Sequence, residues 1–399
     1  EEKGGKYAQD FFQKSDAKDF CDVLKQGKIV ELFAELSRKF NGKIFEWENS
    51  SERDLVQNTD LKELALFLYG DIDLARGQYA FWRKYSFNYL PVELISSVYE
   101  EFLNERKDAV YTPEFLVNTL IDESMPQKEY KNTSVKTIDV SCGSGIFLVS
   151  AFKRLVQRHR YAEFKKTGEL KRLKSEQLLQ IIKENIFGID IEEDARNLTV
   201  FSLCLAVCEE LTPPQIWEEL KFGDNFQRNF KTANFFEYIE DKENYGQFDL
   251  VIGNPPFISL SKDKNDYFKD EVGKYYGKYT EKTADGNKVK KTMYVNEDIV
   301  FKSKKQIYPD NQTALMFLEQ STLLLKENGL LCLIMPSAPL LYNNSFEFRK
   351  HFFSKHQVSQ ILDFTNLDLV LFEADVPTSA IFVHKQDHNE ERPITHITI

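Results

Sequence analysis

Apolar residues in the N-terminal quarter of the chain recur at helical spacing. One run follows a period of three to four residues, with apolar side chains at Ile29, Val30, Leu32, Phe33 and Leu36. Asp60 is suited to cap a further helix, and Pro91 to begin another. The pattern therefore predicts a helical N-terminal domain over residues 1–108.

Beyond residue 109 the pattern changes to short apolar runs that alternate with helical stretches. Strands are predicted at 135–141, at runs ending in Asp190 and Phe226, and at 248–253, 329–335, 358–364 and 378–384. Such alternation is typical of a Rossmann-like α/β sheet. The last run follows Phe364 too closely for a helical crossover and is predicted to be antiparallel. We therefore expect a mixed seven-stranded sheet in a catalytic domain spanning residues 109–399.

A glycine turn, Cys142-Gly143-Ser144-Gly145, follows the first predicted strand and precedes a helical run. Glycine lets the backbone approach a ligand closely, and the helix N-terminus offers unpaired N–H groups. The spacing is too short for a dinucleotide fingerprint, and the Walker lysine is missing. The turn therefore favours a ligand with an adenosine and a small charged group.

Two acidic residues are candidates for binding that adenosine. Asp190 ends the second predicted strand, where folds of this kind hold a ribose diol, although Glu192 and Glu193 compete for the role. Asp224 lies at the end of the predicted third strand and is suited to an adenine amino group. An Asx turn explains Asp224 equally well.

The loop Asn254-Pro255-Pro256-Phe257 follows the fourth predicted strand. Two consecutive prolines cannot join a strand ladder, so they fix a stiff loop where open α/β sheets place their active sites. An amide, a backbone carbonyl and an aromatic ring suit a planar molecule that carries an exocyclic amino group. A proline-rich turn with Phe257 in the core is the structural alternative.

Composition and charge restrict the function less than the motifs do. The 399 residues carry a net charge of −11, which argues against a dedicated nucleic-acid binder. The basic segment from Lys262 to Lys305 follows the proline loop, and it is either solvated surface or a track for phosphates. Because residues 262–311 are charged and poor in aliphatic side chains, we predict a mobile insertion that becomes ordered on DNA.

The location of the protein is predicted from its cysteines and from its lack of long apolar runs. The five cysteines are scattered, as in proteins of a reducing cytosol, and no apolar run is long enough to span a bilayer. We therefore expect a cytoplasmic protein without a membrane segment. The chain begins with Glu1 rather than Met, so we also expect a piece of a longer protein.

These motifs, in their order along the chain, resemble those of gamma-class N6-adenine DNA methyltransferases of type I and type IIG restriction-modification systems. The series is Tyr111-Thr112-Pro113, Asp139 with Cys142 to Leu148, Asp190, Asp224 and Asn254-Pro255-Pro256-Phe257. The resemblance covers residues from about 82 to 385. Val140-Ser141 and Ala109-Val110 stand where the family often has Pro-Ala and Gly-Tyr, and neither change removes a side chain that the chemistry needs.

The resemblance implies a methyltransferase fold and methyl transfer from S-adenosylmethionine to adenine N6 in double-stranded DNA, without a metal. Asn254, Pro255, Pro256 and Phe257 would be catalytic, with Phe257 and Phe372 on the two faces of a flipped-out base. Cofactor contacts are implied for Tyr111, Thr112, Pro113, Asp139, Cys142, Gly143, Ser144, Gly145, Asp190, Ile191, Asp224 and Asn225. A target-recognition domain or a separate specificity subunit would lie beyond this chain.

Two other functions fit part of the pattern. A similar proline loop occurs in enzymes that methylate glutamine side chains of release factors, but Tyr111-Thr112-Pro113 ahead of the glycine turn and Cys142 favour DNA. A methyltransferase fold retained as a non-catalytic DNA-binding subunit is the other alternative, and the intact Asn254 and Asp190 argue against it.

Overall fold

The computed structural model describes residues 6–40, 45–47, 49–69, 112–223, 226–261, 266–282, 287–297, 308–341, 345–367, 377–389 and 391–399. Contacts between Cα atoms divide the chain into two compact units. One comprises residues 1–91, 172–180 and 204–228, and the other comprises residues 92–171, 181–203 and 229–399. The predicted domain boundary after residue 108 lies outside the described residues and stays a prediction.

The described N-terminal residues are helical, as the apolar period predicts. The helices are α1 Lys6–Lys14, α2 Phe20–Lys25, α3 Ile29–Phe40, α4 Ser50–Asn58 and α5 Lys62–Tyr69. Asp60 accepts a hydrogen bond from the backbone N–H of Lys62 at 3.0 Å, in agreement with its predicted role as a cap. The apolar stripes of these helices meet around Val23, Leu24 and Ala65, which are almost completely buried. The helix predicted to begin at Pro91 lies outside the described residues.

The second unit is built on a mixed sheet of eight strands. The strands are β1 Thr137–Asp139, β2 Ile186–Asp190, β3 Phe230–Thr232, β4 Phe248–Gly253, β8 Leu325–Pro336, β9 Gln357–Asp363, β10 Thr378–His384 and β11 Thr395–Thr398. Their order is β11-β9-β10-β8-β4-β1-β2-β3. The prediction of an antiparallel strand over 378–384 is confirmed, since β10 runs antiparallel to both β8 and β9. The predicted count of seven is one too low, because β11 adds a parallel strand beside β9.

The described helices that follow residue 112 flank or connect these strands. They are α6 Glu114–Ser124, α7 Ile146–Thr167, α8 Ser175–Asn185, α9 Glu193–Glu210, α10 Pro213–Glu218, α11 Phe235–Tyr238, α12 Thr313–Ser321, α13 Ser337–Leu341 and α14 Phe346–Phe353. Central strand residues such as Leu331, Leu333 and Ile381 are completely buried and share one apolar cluster with Phe317. Each such side chain stabilises the fold by ~1.5–3 kcal/mol relative to exposure.

The third strand differs from its prediction. The sequence places its end near Phe226, but residues 226–229 form a 3₁₀ turn and the strand occupies Phe230–Thr232. Lys231 and Thr232 are exposed, so this short strand lacks the apolar run that marks its neighbours. Asp224 and Asn225 therefore precede the strand they are predicted to follow, and both lie outside the described residues.

The segment after the proline loop contains a second, smaller sheet. Strands β5 Tyr267–Lys269, β6 Tyr275–Lys282 and β7 Lys288–Tyr294 pair in antiparallel fashion in the order β5-β6-β7. Tyr294 and Val295 are buried in the main apolar cluster. Although residues 262–311 are poor in aliphatic side chains, their described part packs on the core, because tyrosines supply the apolar area that aliphatic residues do not. Ordering of the segment on DNA stays a prediction.

Candidate active site

The glycine turn joins the end of β1 to α7 in a conformation that favours glycine. Gly143 and Gly145 have φ angles of +52° and +84°. A Cβ built on Gly145 would stand 2.9 Å from Cγ2 of Thr199, so α9 leaves no room for a side chain there. Thr199 donates a hydrogen bond from its hydroxyl to the Gly143 carbonyl at 2.8 Å. No atom of the described residues lies within 4 Å of a Cβ built on Gly143, so that side of the turn is open with respect to them.

Asp190 ends β2 and holds the glycine turn in place. Its Oδ2 accepts a hydrogen bond from the backbone N–H of Gly143 at 2.8 Å, and its Oδ1 accepts one from Glu192 at 3.0 Å. Burial raises the pKa of Asp190 above its usual range, although these N–H donors act in the opposite direction. Each carboxylate oxygen can accept a further bond, so the group remains able to bind a hydroxyl.

Asp139 ends β1 and is completely buried. Burial raises the pKa of its carboxyl to about 8, against the lowering effect of the hydrogen bond from Ser141 N–H at 3.0 Å, and the charge of Asp190 raises it further. A Cβ built on Gly253 would stand 2.9 Å from Cγ of Asp139. The carboxyl is therefore packed against the bare backbone at the end of β4, and Gly253 is required for that close approach.

The proline loop follows β4 and is fixed by hydrogen bonds to three other segments. The Asn254 amide donates from Nδ2 to the hydroxyl of Thr112 at 3.2 Å, and the Asn254 carbonyl accepts from the hydroxyl of Ser141 at 3.3 Å. The hydroxyl of Thr313 donates to the Pro256 carbonyl at 2.8 Å and accepts from the backbone N–H of Ile258 at 3.1 Å. The loop is thus held in one conformation.

Thr112 and Thr313 have roles that sequence reasoning did not find. Thr112 precedes α6, which begins at Glu114, and no side chain of the described residues caps the N-terminus of that helix. The Thr112 hydroxyl contacts Asn254 instead. Thr313 is completely buried and reaches the loop from a position 57 residues further along the chain. A side chain that acts through such a tertiary contact leaves no local signal in the sequence.

Asn234 is a further candidate that the sequence pattern missed. It follows β3, and the backbone N–H of its neighbour Ala233 donates to the Asp190 carbonyl at 2.8 Å. Its Oδ1 accepts a hydrogen bond from the N–H of Phe236 at 2.9 Å and so caps α11. Asn234 therefore stands beside Asp190 at the carboxyl edge of the sheet, the position that the sequence analysis assigns to Asp224.

The structure brings most of the predicted site residues together at one sheet edge. Hydrogen bonds or packing link the ends of β1, β2 and β4 through Asp139, Gly143, Asp190 and Asn254. Ile191 is 59% exposed beside Asp190 and offers an apolar surface there. Cys142 and Ser144 are buried within the turn, whereas Phe257 is half-buried. Tyr111, Asp224, Asn225 and Phe372 lie outside the described residues.

The described ranges contain neither a metal-binding cluster nor a helix that could span a membrane. No group of three or more His, Cys, Asp or Glu side chains there is placed to hold a metal ion. None of the helices in the described part of the chain is both long enough and apolar enough to cross a bilayer.

Comparison with known proteins finds that this chain is similar to restriction-modification methyltransferases. Residues 184–370 match the model of the family described as Eco57I restriction-modification methylase. The type II restriction enzyme and methyltransferase RM.Eco57I of Escherichia coli is 24% identical over 355 residues, which are 76% of this chain and 32% of that protein. The adenine-specific methyltransferase PglX of Streptomyces coelicolor is 26% identical over 203 residues, 42% of this chain and 16% of that protein.

Solved structures show the same fold. The DrdV–DNA complex aligns with a TM-score of 0.54 at 15% identity, over 100% of this chain and 40% of that one. The type IIG restriction endonuclease BpuSI aligns with a TM-score of 0.51 at 15% identity, over 96% of this chain and 36% of that one. The resemblance drawn from the motifs is confirmed: residues 184–370 match the restriction-modification methylase model, and the fold is similar to that of these solved structures. It spans about a third or less of the length of the two curated relatives.

Proposed function

We propose that this chain transfers a methyl group from S-adenosylmethionine to N6 of adenine in double-stranded DNA, as part of a restriction-modification or related defence system. The observation that carries the proposal is the placement of the Asn254-Pro255-Pro256-Phe257 loop. It leaves the end of β4 beside the glycine turn, and Ser141 of the turn donates a hydrogen bond to the Asn254 carbonyl at 3.3 Å. The acceptor of the methyl group and the cofactor would therefore meet at one sheet edge.

The residues at this edge fit the cofactor. Gly143 presents open backbone, and Asp190 keeps lone pairs that suit the two ribose hydroxyls. Asn234 and the exposed Ile191 would contact the adenine ring. When bound, the cofactor supplies an electrophilic methyl group attached to a sulfonium. Thr112, Asp139 and the turn residues Cys142 to Gly145 would surround its charged methionine end.

The catalytic contribution of this chain is a pair of preplaced acceptors. The adenine amino group is a poor nucleophile because its lone pair is delocalised into the ring. Asn254 Oδ1 and the Pro255 carbonyl would accept its two hydrogens, which favours a pyramidal nitrogen and stabilises the charge that develops there. Because Asn254 Nδ2 donates to Thr112, the amide oxygen is turned towards the other side, where the base would enter.

The target base lies inside a duplex and must be flipped out before it can reach this loop. Phe257 would stack on one face of the base, and Phe372 would stack on the other. Stacking of this kind contributes about 1–3 kcal/mol per base. Thr313 and Pro256 keep Phe257 next to the acceptors, since the hydrogen bond at 2.8 Å fixes the loop between them.

Sequence specificity would come from a target-recognition domain or a specificity subunit outside this chain. We also propose a helical domain up to residue 108, a catalytic domain from residue 109, and a cytoplasmic location. Five cysteines without a disulfide support the last point, four of them buried.

The deciding experiment is mass spectrometry of DNA nucleosides after incubation with isotopically labelled S-adenosylmethionine. It is run with this chain alone and with candidate specificity subunits. Labelled N6-methyladenine is expected, and the Asn254→Ala variant should form it about a hundredfold to a thousandfold more slowly. Label in the amide of a glutamine-containing release factor, with none in DNA, would favour glutamine methylation. Cofactor binding with no turnover on either acceptor would favour a non-catalytic subunit.

A further inference from the structure

The small sheet β5-β6-β7 has one face whose outer part is basic, with Lys288 and Lys290 exposed and Lys278 half-buried. Side chains alternate along a strand, so Lys278 and Thr280 of β6 share a face with their partners Thr292 and Lys290 of β7. Phe268 of β5 and Lys288 of β7 lie on the same side by the same register. We call this set the lysine face: Phe268, Lys278, Thr280, Lys288, Lys290 and Thr292.

The opposite face of the sheet packs against the core. Tyr267, Tyr279 and Met293 point to that side and pack against the main apolar cluster. Ser261 N donates to the Lys278 carbonyl at 2.7 Å, and Leu260 forms a bridge with Tyr279. Tyr276 and Tyr294, which lie on the same side as the lysine face at the other end of the hairpin, also pack in that cluster. The sheet is therefore anchored at this end, and the lysine face is presented on a rigid support.

Lysines of this sheet divide into two groups by their partners. Lys269 pairs with Glu297 at 3.3 Å, Lys274 pairs with Glu237 at 2.8 Å, and Lys291 pairs with Glu281. Those three lysines form ion pairs within the fold.

Lys278, Lys288 and Lys290 make no ion pair within the part of the chain that the structure describes. Asp266 is a nearby carboxylate that interacts electrostatically with two of these lysines. Its pKa is held below the usual range first by a hydrogen bond from the Ser261 hydroxyl, at 2.6 Å, and then by the charges of Lys290 and Lys278. Asp266 thus offsets part of the positive charge of the lysine face, and three lysines facing one carboxylate leave a net positive charge.

An aromatic ring is interleaved with these charges. Phe268 is 39% exposed and stacks on Tyr276 with ring centroids 5.6 Å apart. The ammonium of Lys278 lies 5.6 Å from the centroid of the Phe268 ring. Basic side chains beside an exposed aromatic ring are the combination that nucleic-acid surfaces use.

The lysine face also lies close to the proposed site of the flipped base. Ser261, which is bonded to β6, follows Phe257 by four residues, a span of at most about 14 Å for an extended chain. A duplex carries one phosphate per ~3.4 Å of each strand. Phosphates a few nucleotides from the target base therefore come within reach of this sheet.

We propose that the lysine face binds the phosphate backbone of the duplex beside the target adenine, through Lys278, Lys288 and Lys290. This inference rests on the proposed function and adds the surface that positions the DNA. The net charge of the chain is −11, so a local patch is needed to attract a polyanion to the active-site edge. Because phosphates carry no sequence information, this contact sets orientation and affinity, not the recognition site.

The test is the salt dependence of binding to a fluorescein-labelled 30-base-pair duplex, measured by anisotropy without cofactor. Each phosphate contact contributes about −0.9 to the slope of log K against log salt. The triple variant Lys278→Ala, Lys288→Ala, Lys290→Ala should lose two to three units of that slope, roughly. Between about 50 and 200 mM salt, wild-type affinity should then fall roughly 40-fold more than that of the variant.

Two further triple variants serve as controls. Replacing the same lysines by arginine should keep the slope, since guanidinium also binds phosphate. Lys165→Ala, Lys166→Ala, Lys171→Ala removes the same charge at and beyond the far end of α7, about 30 Å along the helix from the glycine turn. Lys165 also lies over an aromatic ring, Tyr161, at 5.2 Å, which matches the setting of Lys278.

An unchanged slope in the lysine-face variant would overturn the inference, and so would an equal loss in the α7 variant. If the slope is unchanged, the lysine face would bind a different partner, such as an acidic protein surface. Failure of the proposed function would give a different result. The wild-type chain would bind the duplex but would transfer no label to adenine.

Discussion

The polar groups of the glycine turn and those of the lysine face differ in how the fold holds them. Backbone N–H donors hold the carboxyl groups of Asp139 and Asp190 in place, and burial raises the pKa of both. Lys278, Lys288 and Lys290 are carried on a rigid sheet, but no carboxylate of the described residues pairs with them. A small ligand needs a few exact contacts, whereas a polyanion needs only charge at the right distance. Substitutions should therefore be costly at the first region and graded at the second.

The largest effect is expected for Asn254→Ala. Losing one preorganised acceptor where charge develops costs about a hundredfold to a thousandfold in rate. Cofactor affinity should stay nearly unchanged, because Asn254 faces the acceptor base and the cofactor contacts come from β1 and β2. Single-turnover methylation and calorimetry measure the two quantities. Full activity of this variant on adenine-containing DNA would refute the catalytic assignment of the loop.

Asp190→Ala should weaken cofactor binding by roughly 1–3 kcal/mol, the usual loss for a charge-assisted hydrogen bond. The substitution also removes the acceptor of the 2.8 Å hydrogen bond that the Gly143 N–H donates to Asp190, so the glycine turn loses an anchor. Calorimetry with S-adenosylmethionine measures the change, and Asp190→Asn is the matched variant that keeps an acceptor. Unchanged affinity would transfer the ribose role to Glu192.

Thr313→Val tests whether the proline loop must be held rigid. The substitution keeps the volume but removes the hydroxyl that joins Pro256 and Ile258. An unpaired buried polar group costs about 1–3 kcal/mol, so we expect a lower rate of methylation and a lower melting temperature. Thr313→Ser should behave like the wild type. Equal loss in the Ser variant would show that packing of the methyl group, and not the hydroxyl, fixes the loop.

A separate prediction concerns the pH dependence of stability. The folded-state pKa of Asp139 is about 8, above the unfolded value of about 3.9, so the folded chain binds the proton more tightly. The resulting stabilisation is complete below the unfolded pKa and is lost as the pH rises through 8. Asp139→Asn should flatten this loss in denaturant titrations at several pH values. A parallel pH profile for both proteins would mean that Asp139 is ionised in the folded state.

Several features of the fold and site could be predicted because they leave a continuous signal. The run ending at Asp190 and the run 378–384 are apolar and long enough to mark β2 and β10. Residues of β3 and β11 alternate poorly or are fully exposed, and strands of three and four residues add little pattern. Asn234 was missed together with β3, since a wrong strand end moves the candidate residue.

The small sheet was missed for a different physical reason. Its strands are rich in lysine and tyrosine, which gives a charged segment with few aliphatic residues. Tyrosine packs like an apolar residue on one side of a sheet while lysine remains in water on the other. The alternation of Tyr279 with Lys278 indicates a strand, whereas the composition of the segment alone does not.

The carboxylate of Asp190 has a consequence for how binding at the proposed site is coupled. One group accepts the Gly143 N–H and, in the proposed assignment, also the ribose hydroxyls. Occupancy of the nucleoside part and the shape of the turn that meets the amino-acid part are then thermodynamically linked. By reciprocity, adenosine and methionine added as separate molecules should each raise the affinity for the other by the same factor. The intact cofactor would gain from this coupling, and its separate halves would compete poorly for the pocket.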